Sequence, residues 1–167
     1  YLYGFTGIFT VRDSPNIDLS DNYWQYTSTP QTGIVRDEYS LRIKVQDVGG
    51  NPISGASVAV VDKNGEAITG SPFASDENGE INCGYLLRRT AKSSNETANT
   101  RVSIMTDYTP HTITISKPGY QTKTLKLTMD RKREEVEVLE KEVPIFIGKG
   151  KVLVNVDPKN SQNNILV

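Results

Sequence analysis

Asp47-Val48-Gly49-Gly50-Asn51-Pro52-Ile53-Ser54-Gly55-Ala56-Ser57-Val58 is the stretch whose reading decides the fold. It separates an alternating run, Leu41-Arg42-Ile43-Lys44-Val45, from an apolar one, Val58-Ala59-Val60-Val61. Leu41, Ile43 and Val45 share one face while Arg42, Lys44 and Gln46 share the other, the period-two mark of a half-buried strand. Gly50-Asn51-Pro52 supplies a sharp reversal, because glycine tolerates positive φ and proline fixes φ. Gly55 then releases the chain into a second strand.

The same grammar repeats outward from this hairpin. Val58–Val61 ends at Asp62-Lys63-Asn64-Gly65, and a second turn, Asp76-Glu77-Asn78-Gly79, leads into Glu80-Ile81. His111-Thr112-Ile113-Thr114-Ile115-Ser116 alternates cleanly and breaks at Lys117-Pro118-Gly119-Tyr120. It resumes as Thr122-Lys123-Thr124-Leu125-Lys126-Leu127, and Glu135-Val136-Glu137-Val138-Leu139 closes the set. The charged run Asp130-Arg131-Lys132-Arg133-Glu134-Glu135 reads as a solvated turn between two strands.

The opening hairpin and the Ser-Lys-Pro-Gly-Tyr step resemble the carboxypeptidase regulatory-like domain, an immunoglobulin-like or transthyretin-like β-sandwich found on many extracellular proteins. The resemblance spans residues 38–142 and rests on the order and spacing of several separated turns. It implies an all-β, two-sheet sandwich of about seven strands, with Tyr120 starting a strand with its ring inward. It also implies a structural or binding module, of a family often attached to peptidases and transporters.

The chain divides into three segments. Residues 1–37 are aromatic and punctuated by glycine, and read as a β-rich extension or the end of a preceding domain. Residues 143–167 form a tail with two further strand-like runs, Val143–Ile147 and Lys151–Val156. Both ends carry more β-prone apolar sequence than one sandwich of about 100 residues needs, so extra strands are expected there. Between Tyr85 and Thr106 a long polar stretch fits either a hairpin excursion or a disordered loop. The chain starts with Tyr, which reads as a processed or excised product.

Composition narrows the function classes. The 167 residues carry 19 basic and 20 acidic side chains, a formal net charge of −1, so no broad field favours nucleic acid or anionic lipid. No segment approaches the ~20 apolar residues of a membrane-spanning helix. Cys83 is the single cysteine, so no intrachain disulfide can form; its place in an alternating run suits a buried small hydrophobe. His111 is the single histidine, and neither it nor Cys83 carries a local nucleophile signature. No catalytic residue, cofactor or metal is expected. Asp76-Glu77-Asn78-Gly79-Glu80 superficially resembles a calcium loop but lacks the closing bidentate glutamate. Turn chemistry explains it.

Three weaker signals remain. Some related surface-protein sandwiches crosslink a strand lysine to Asn or Asp; here Lys44 would have only Asn155 as a strand candidate. Asn95-Glu96-Thr97 fits the N-glycosylation pattern. Tyr23-Trp24-Gln25-Tyr26 can stack on a sugar or base face, although sheet-edge or subunit packing is the commoner explanation.

The expected function is therefore a non-catalytic extracellular structural or assembly module, on a cell surface, filament or virion. Its terminal strands, through Tyr1, Tyr3, Phe5, Ile8, Phe9, Ile145, Phe146, Val152 and Val154, would contact other copies or neighbouring structural proteins. The alternatives are a carbohydrate-binding or adhesive module, with Tyr23, Trp24, Tyr26, Arg88 and Arg89 facing a surface glycan, or an accessory domain of a larger secreted enzyme.

Overall fold

A computed structural model describes residues 2–3, 7–14, 24–25, 33–97 and 100–143 of the chain. Among them lie eleven strands and no helix. In chain order these are β1 (Leu2–Tyr3), β2 (Ile8–Arg12), β3 (Trp24–Gln25), β4 (Ile34–Asp47), β5 (Ser57–Val61), β6 (Phe73–Ala74), β7 (Glu80–Thr97), β8 (Thr100–Asp107), β9 (His111–Ser116), β10 (Lys123–Leu127) and β11 (Arg133–Leu139). The all-β two-sheet sandwich expected from the alternating runs is what forms.

One layer has the order β11-β4-β7-β8, with β2 also on β4; the other has the order β10-β9-β5-β6. β1 and β3 make a separate parallel pair. The chain crosses between layers from β4 to β5, from β6 to β7, from β8 to β9 and from β10 to β11, and the inward faces of both sheets meet. From the larger sheet Tyr39, Leu41, Ile43, Val45, Ile81, Cys83, Leu86 and Leu139 point into the core. Val58, Val60, Ile113, Ile115 and Leu127 meet them from the smaller one. Period-two burial along β4, β5 and β9 is the cause: each strand has one apolar face, and stacking is how that face leaves water. Tyr120 packs against this cluster, half-buried.

β4 organises the larger sheet. β7 runs antiparallel along one side of it. On the other side β2 pairs in parallel with Ile34–Glu38, and β11 pairs in parallel with Leu41–Asp47. Tyr39 and Ser40 fall between these two partners, and Asp13 fills the gap. Its carboxylate accepts the Ser40 N–H at 2.7 Å and the Ser40 hydroxyl at 2.9 Å, while the Tyr39 hydroxyl donates to the Ser14 carbonyl at 2.9 Å. Asp13 sits at φ +48°, a left-handed geometry that Asp tolerates better than most residues. The strand thus begins at Ile34 and is paired to residues N-terminal of it.

Three of the turns prove to be the same object. In Asp47–Asn51, Asp62–Glu66 and Asp76–Glu80 the Asp Oδ1 accepts the backbone N–H two residues on, at 2.8, 2.8 and 2.9 Å. It also accepts the N–H four residues on, at 2.9, 3.0 and 2.8 Å. Glycine stands third after each Asp, at φ +81°, +86° and +74°. The first two fit open space; at Gly79 the backbone also runs against Val45. The carboxylate of Asp76, the one superficially like a calcium ligand, is thereby committed to its own turn.

The polar stretch after Tyr85 is a hairpin. β7 continues to Thr97 and β8 returns beside it, in register from Arg89↔Asp107 to Asn95↔Arg101. Asn95 therefore lies on a paired strand. β7 carries two irregularities against β4, one between Asp37 and Glu38 and one between Leu41 and Arg42. At the second, Gly84 adopts φ +74°, and both Cys83 and Leu86 remain buried.

Candidate functional site

Two concave features stand out among the described residues. The first is a groove of about 580 Å³ across the larger sheet, lined by residues of β4, β7 and β11 and by Asp76. Strand register builds it. Arg42 stands opposite Asn82 on one side and Glu134 on the other; Lys44 stands opposite Glu80 and Val136. Its lining offers two cations, Arg42 and Lys44, three carboxylates, Asp76, Glu80 and Glu134, and the amide of Asn82; Glu135, in register with Ile43, alternates to the other face and lies beside Arg133. Lys132 holds Glu134 at 2.9 Å, and this hydrogen-bonded lysine keeps the Glu134 carboxyl below its ordinary range. Arg42 and Lys44 form no ion pair within 4.0 Å among the described residues.

The second feature is a smaller cleft of about 230 Å³ lined by Arg36, Asp62, Glu66, Tyr85, Tyr108 and His111, among others. His111 is fully buried, and among the described residues neither Nδ1 nor Nε2 has a hydrogen-bond partner. Burial pushes its pKa down, with the negative charge of Asp62 acting the other way, so the imidazole is neutral near pH 7. At Asp62 burial opposes the charge, but hydrogen bonds from the Glu66 and Asn64 backbone outweigh it and hold the carboxyl below its usual value. The guanidinium of Arg12 lies 4.6 Å from the centre of the Tyr85 ring. Arg12 and Arg36 both approach Glu38, at 3.2 and 3.0 Å. The Arg36 Nε–H is not aimed at that carboxylate and is left without a hydrogen bond.

The residues singled out from sequence are scattered. Arg88 is ion-paired through Nη1 to the buried Asp37 at 2.9 Å, and Arg89 pairs with Asp107. Burial raises the Asp37 pKa, and Arg88 offsets only part of that; its Oδ1 has no partner. Both arginines thus serve intramolecular pairs. Trp24 and Tyr3 lie in the β1–β3 pair. Ile8 and Phe9 are exposed on β2. Tyr1, Phe5, Tyr23, Tyr26, Ile145, Phe146, Val152, Val154 and Asn155 lie outside the described residues, as does any partner for Lys44 at Asn155. Cys83 belongs to the core, its thiol pushed up to about 12 by burial.

The residues of the groove and cleft were not read from sequence as sites. Arg42, Asn82 and Glu134 come from three distant segments, each an ordinary polar position on an alternating strand. Only the sheet register joins them. His111 was singled out for its uniqueness; its neighbours Asp62 and Glu66 were legible only as a turn.

No family model matches the chain, and no curated protein matches it. Some solved structures align with it at low similarity. A 3-chlorocatechol 1,2-dioxygenase from Rhodococcus opacus aligns at 14% identity and a TM-score of 0.39, covering 64% of this chain and 60% of that one. A mutant catechol 1,2-dioxygenase from Acinetobacter radioresistens aligns at 13% identity and a TM-score of 0.37, covering 83% and 58%. This chain therefore spans about three fifths of those proteins. The expectation of a structural or assembly subunit finds no support in these alignments, since the solved structures found are catechol dioxygenases and not filament or particle components. At such values the likeness says nothing of which chemistry or substrate belongs to this chain. No group of three or more His, Cys, Asp and Glu able to hold a metal occurs among the described residues.

Proposed function

We propose that the chain is a carboxypeptidase regulatory-like sandwich that works by binding, not by catalysis, and that its ligand is a neutral, hydroxyl-rich chain such as an oligosaccharide. The groove over β4, β7 and β11 carries this reading. Arginine and lysine only donate hydrogen bonds, carboxylates only accept them, and Asn82 does both. A sugar hydroxyl does both as well, so it matches a lining that alternates donors and acceptors. Three carboxylates against two cations disfavour a polyanion there.

The Cys83 thiol, raised to about 12, is protonated at neutral pH and enclosed by core side chains. Among the described residues His111 hydrogen-bonds to no nucleophile and to no orienting carboxylate. The turn sequences and the Lys117-Pro118-Gly119-Tyr120 step support the family resemblance, and a glycan ligand fits an extracellular setting.

The test is binding to an array of neutral and acidic oligosaccharides by the wild-type chain and by Asn82→Ala and Lys44→Gln. Neutral glycans should bind, and each variant should weaken that binding about tenfold, the equivalent of ~1.4 kcal/mol. Binding that both variants leave untouched, or a preference for acidic glycans, contradicts the reading.

A further inference from the structure

The cleft around His111 lies apart from the groove and shares no lining residue with it. We propose that it is a second binding site, for one neutral polyhydroxylated molecule of monosaccharide size, held through His111 and Asp62 and walled by Tyr85 and Tyr108. The inference stands on its own observations and does not need the groove to bind anything.

The first observation is the histidine. A fully buried imidazole with both nitrogens unpaired is a rare arrangement in a folded protein and calls for a partner. A neutral imidazole has one N–H donor and one lone-pair acceptor. Adjacent hydroxyl groups answer both, since each can accept from one group and donate to another. Asp62 adds an acceptor. Its Oδ1 is filled by two backbone N–H groups, but Oδ2 receives only the Asn64 side-chain amide at 3.3 Å. Arg36 adds a donor, because its buried Nε–H is unsatisfied despite the nearby Glu38.

Size and charge select the ligand. The cleft has a volume of about 230 Å³. That is below the ~300 Å³ at which drug-sized pockets begin, so a single small ring fits and a chain does not. An anion would meet the carboxylates of Asp62 and Glu66; a cation would meet Arg36. A neutral ligand avoids both conflicts. The two tyrosine rings offer apolar faces for the C–H side of a sugar, and Arg12 braces one of them.

His111 is the only histidine of the chain, so its imidazole gives an unambiguous NMR signal. The experiment follows the His111 ring ¹⁵N and ¹H resonances of the full chain during titration with glucose, galactose, mannose and N-acetylglucosamine. Glucuronate and glucosamine serve as the charged arms. A saturable shift with at least one neutral sugar, weakened tenfold or more in Tyr108→Ala and unchanged in Asn82→Ala, is expected. The absence of saturable shifts from every neutral sugar, with a folded amide spectrum, means that ordered water fills the cleft and overturns the proposal. So does equal binding of a charged sugar, or a response abolished by the groove variant Asn82→Ala. In His111→Gln, which keeps a donor and an acceptor, the Tyr108 ring signals should still respond to the same sugar with reduced affinity. A silent Tyr108 in that folded variant, together with a silent wild type, counts against the site a second time.

Discussion

At Gly79 the backbone has φ +74°, and a Cβ there would collide with the carbonyl oxygen of Val45. Gly50, at φ +81° in the sister turn, has nothing within 4 Å of where its Cβ would be. The two therefore separate a conformational cost from a steric one. Gly50→Ala should lose about 1–2 kcal/mol for the left-handed geometry alone. Gly79→Ala should lose about 3–5 kcal/mol, because rigid backbone must move as well. Urea unfolding of the two variants measures the difference, and equal losses would refute the account of the Gly79 contact. His111 makes a residue-scale prediction with a sign. Burial lowers its pKa in the folded protein, whereas the unfolded chain takes up the proton near 6.5. Below that pH the unfolded state binds more protons, so stability falls as pH drops from about 6.5 towards the folded value and then levels off. His111→Phe should flatten that slope as pH falls through about 6.5 and below. Asp62 and Asp107, held low in the fold, contribute stability that is lost only further down, as pH falls through their lowered values. Asp37, raised in the fold, acts with the opposite sign above 3.8.

Between residue and molecule stand the turns and the shared strand. Asp13 occupies the break between β2 and β11 along β4, replacing the missing strand partner at Ser40 with a carboxylate. Asp13→Ala should cost about 1.5–3 kcal/mol, the range for hydrogen bonds to a charged group. Asp13→Asn, which tolerates the same backbone and keeps one acceptor, should cost less. Thermal or urea unfolding distinguishes them, and equal stability of Asp13→Ala and wild type would refute the role. Much at this scale was legible beforehand. The Asp-x-x-Gly turns and the alternating strands β4, β5, β9, β10 and β11 are local signals, readable because burial on one face imposes a period of two. The hairpin of β7 and β8 was not resolved from its alternatives, since the polar sequence beyond Ala91 carries no apolar–polar alternation to separate strand from loop. The irregularities in β7 were invisible for a related reason: a bulge shifts which residues share a face, and only the partner strand reveals the shift.

Across the whole molecule, the sandwich follows from those strands, but its recognition surfaces do not. The groove unites β4, β7 and β11, and the cleft unites turn residues after β5 with Arg36, Tyr85, Tyr108 and His111. Each is made of positions that look like ordinary solvated or buried residues until the register is known. Arg88 and Arg89 show the converse. They looked available as a pair of adjacent cations, yet the fold gives each its own carboxylate. The layers themselves depend on side chains such as Leu41 and Ile113, both fully buried. Truncation to Ala should cost about 2–5 kcal/mol at either position, as read by urea unfolding.

Binding without catalysis is the central claim, and amide-resolved NMR of the full chain titrated with a neutral oligosaccharide tests it most directly. The account predicts saturable shifts at Arg42, Lys44, Glu80, Asn82 and Val136, with the sugar recovered chemically unchanged. Shifts confined to other faces of the sandwich, or conversion of the sugar during the titration, would contradict it.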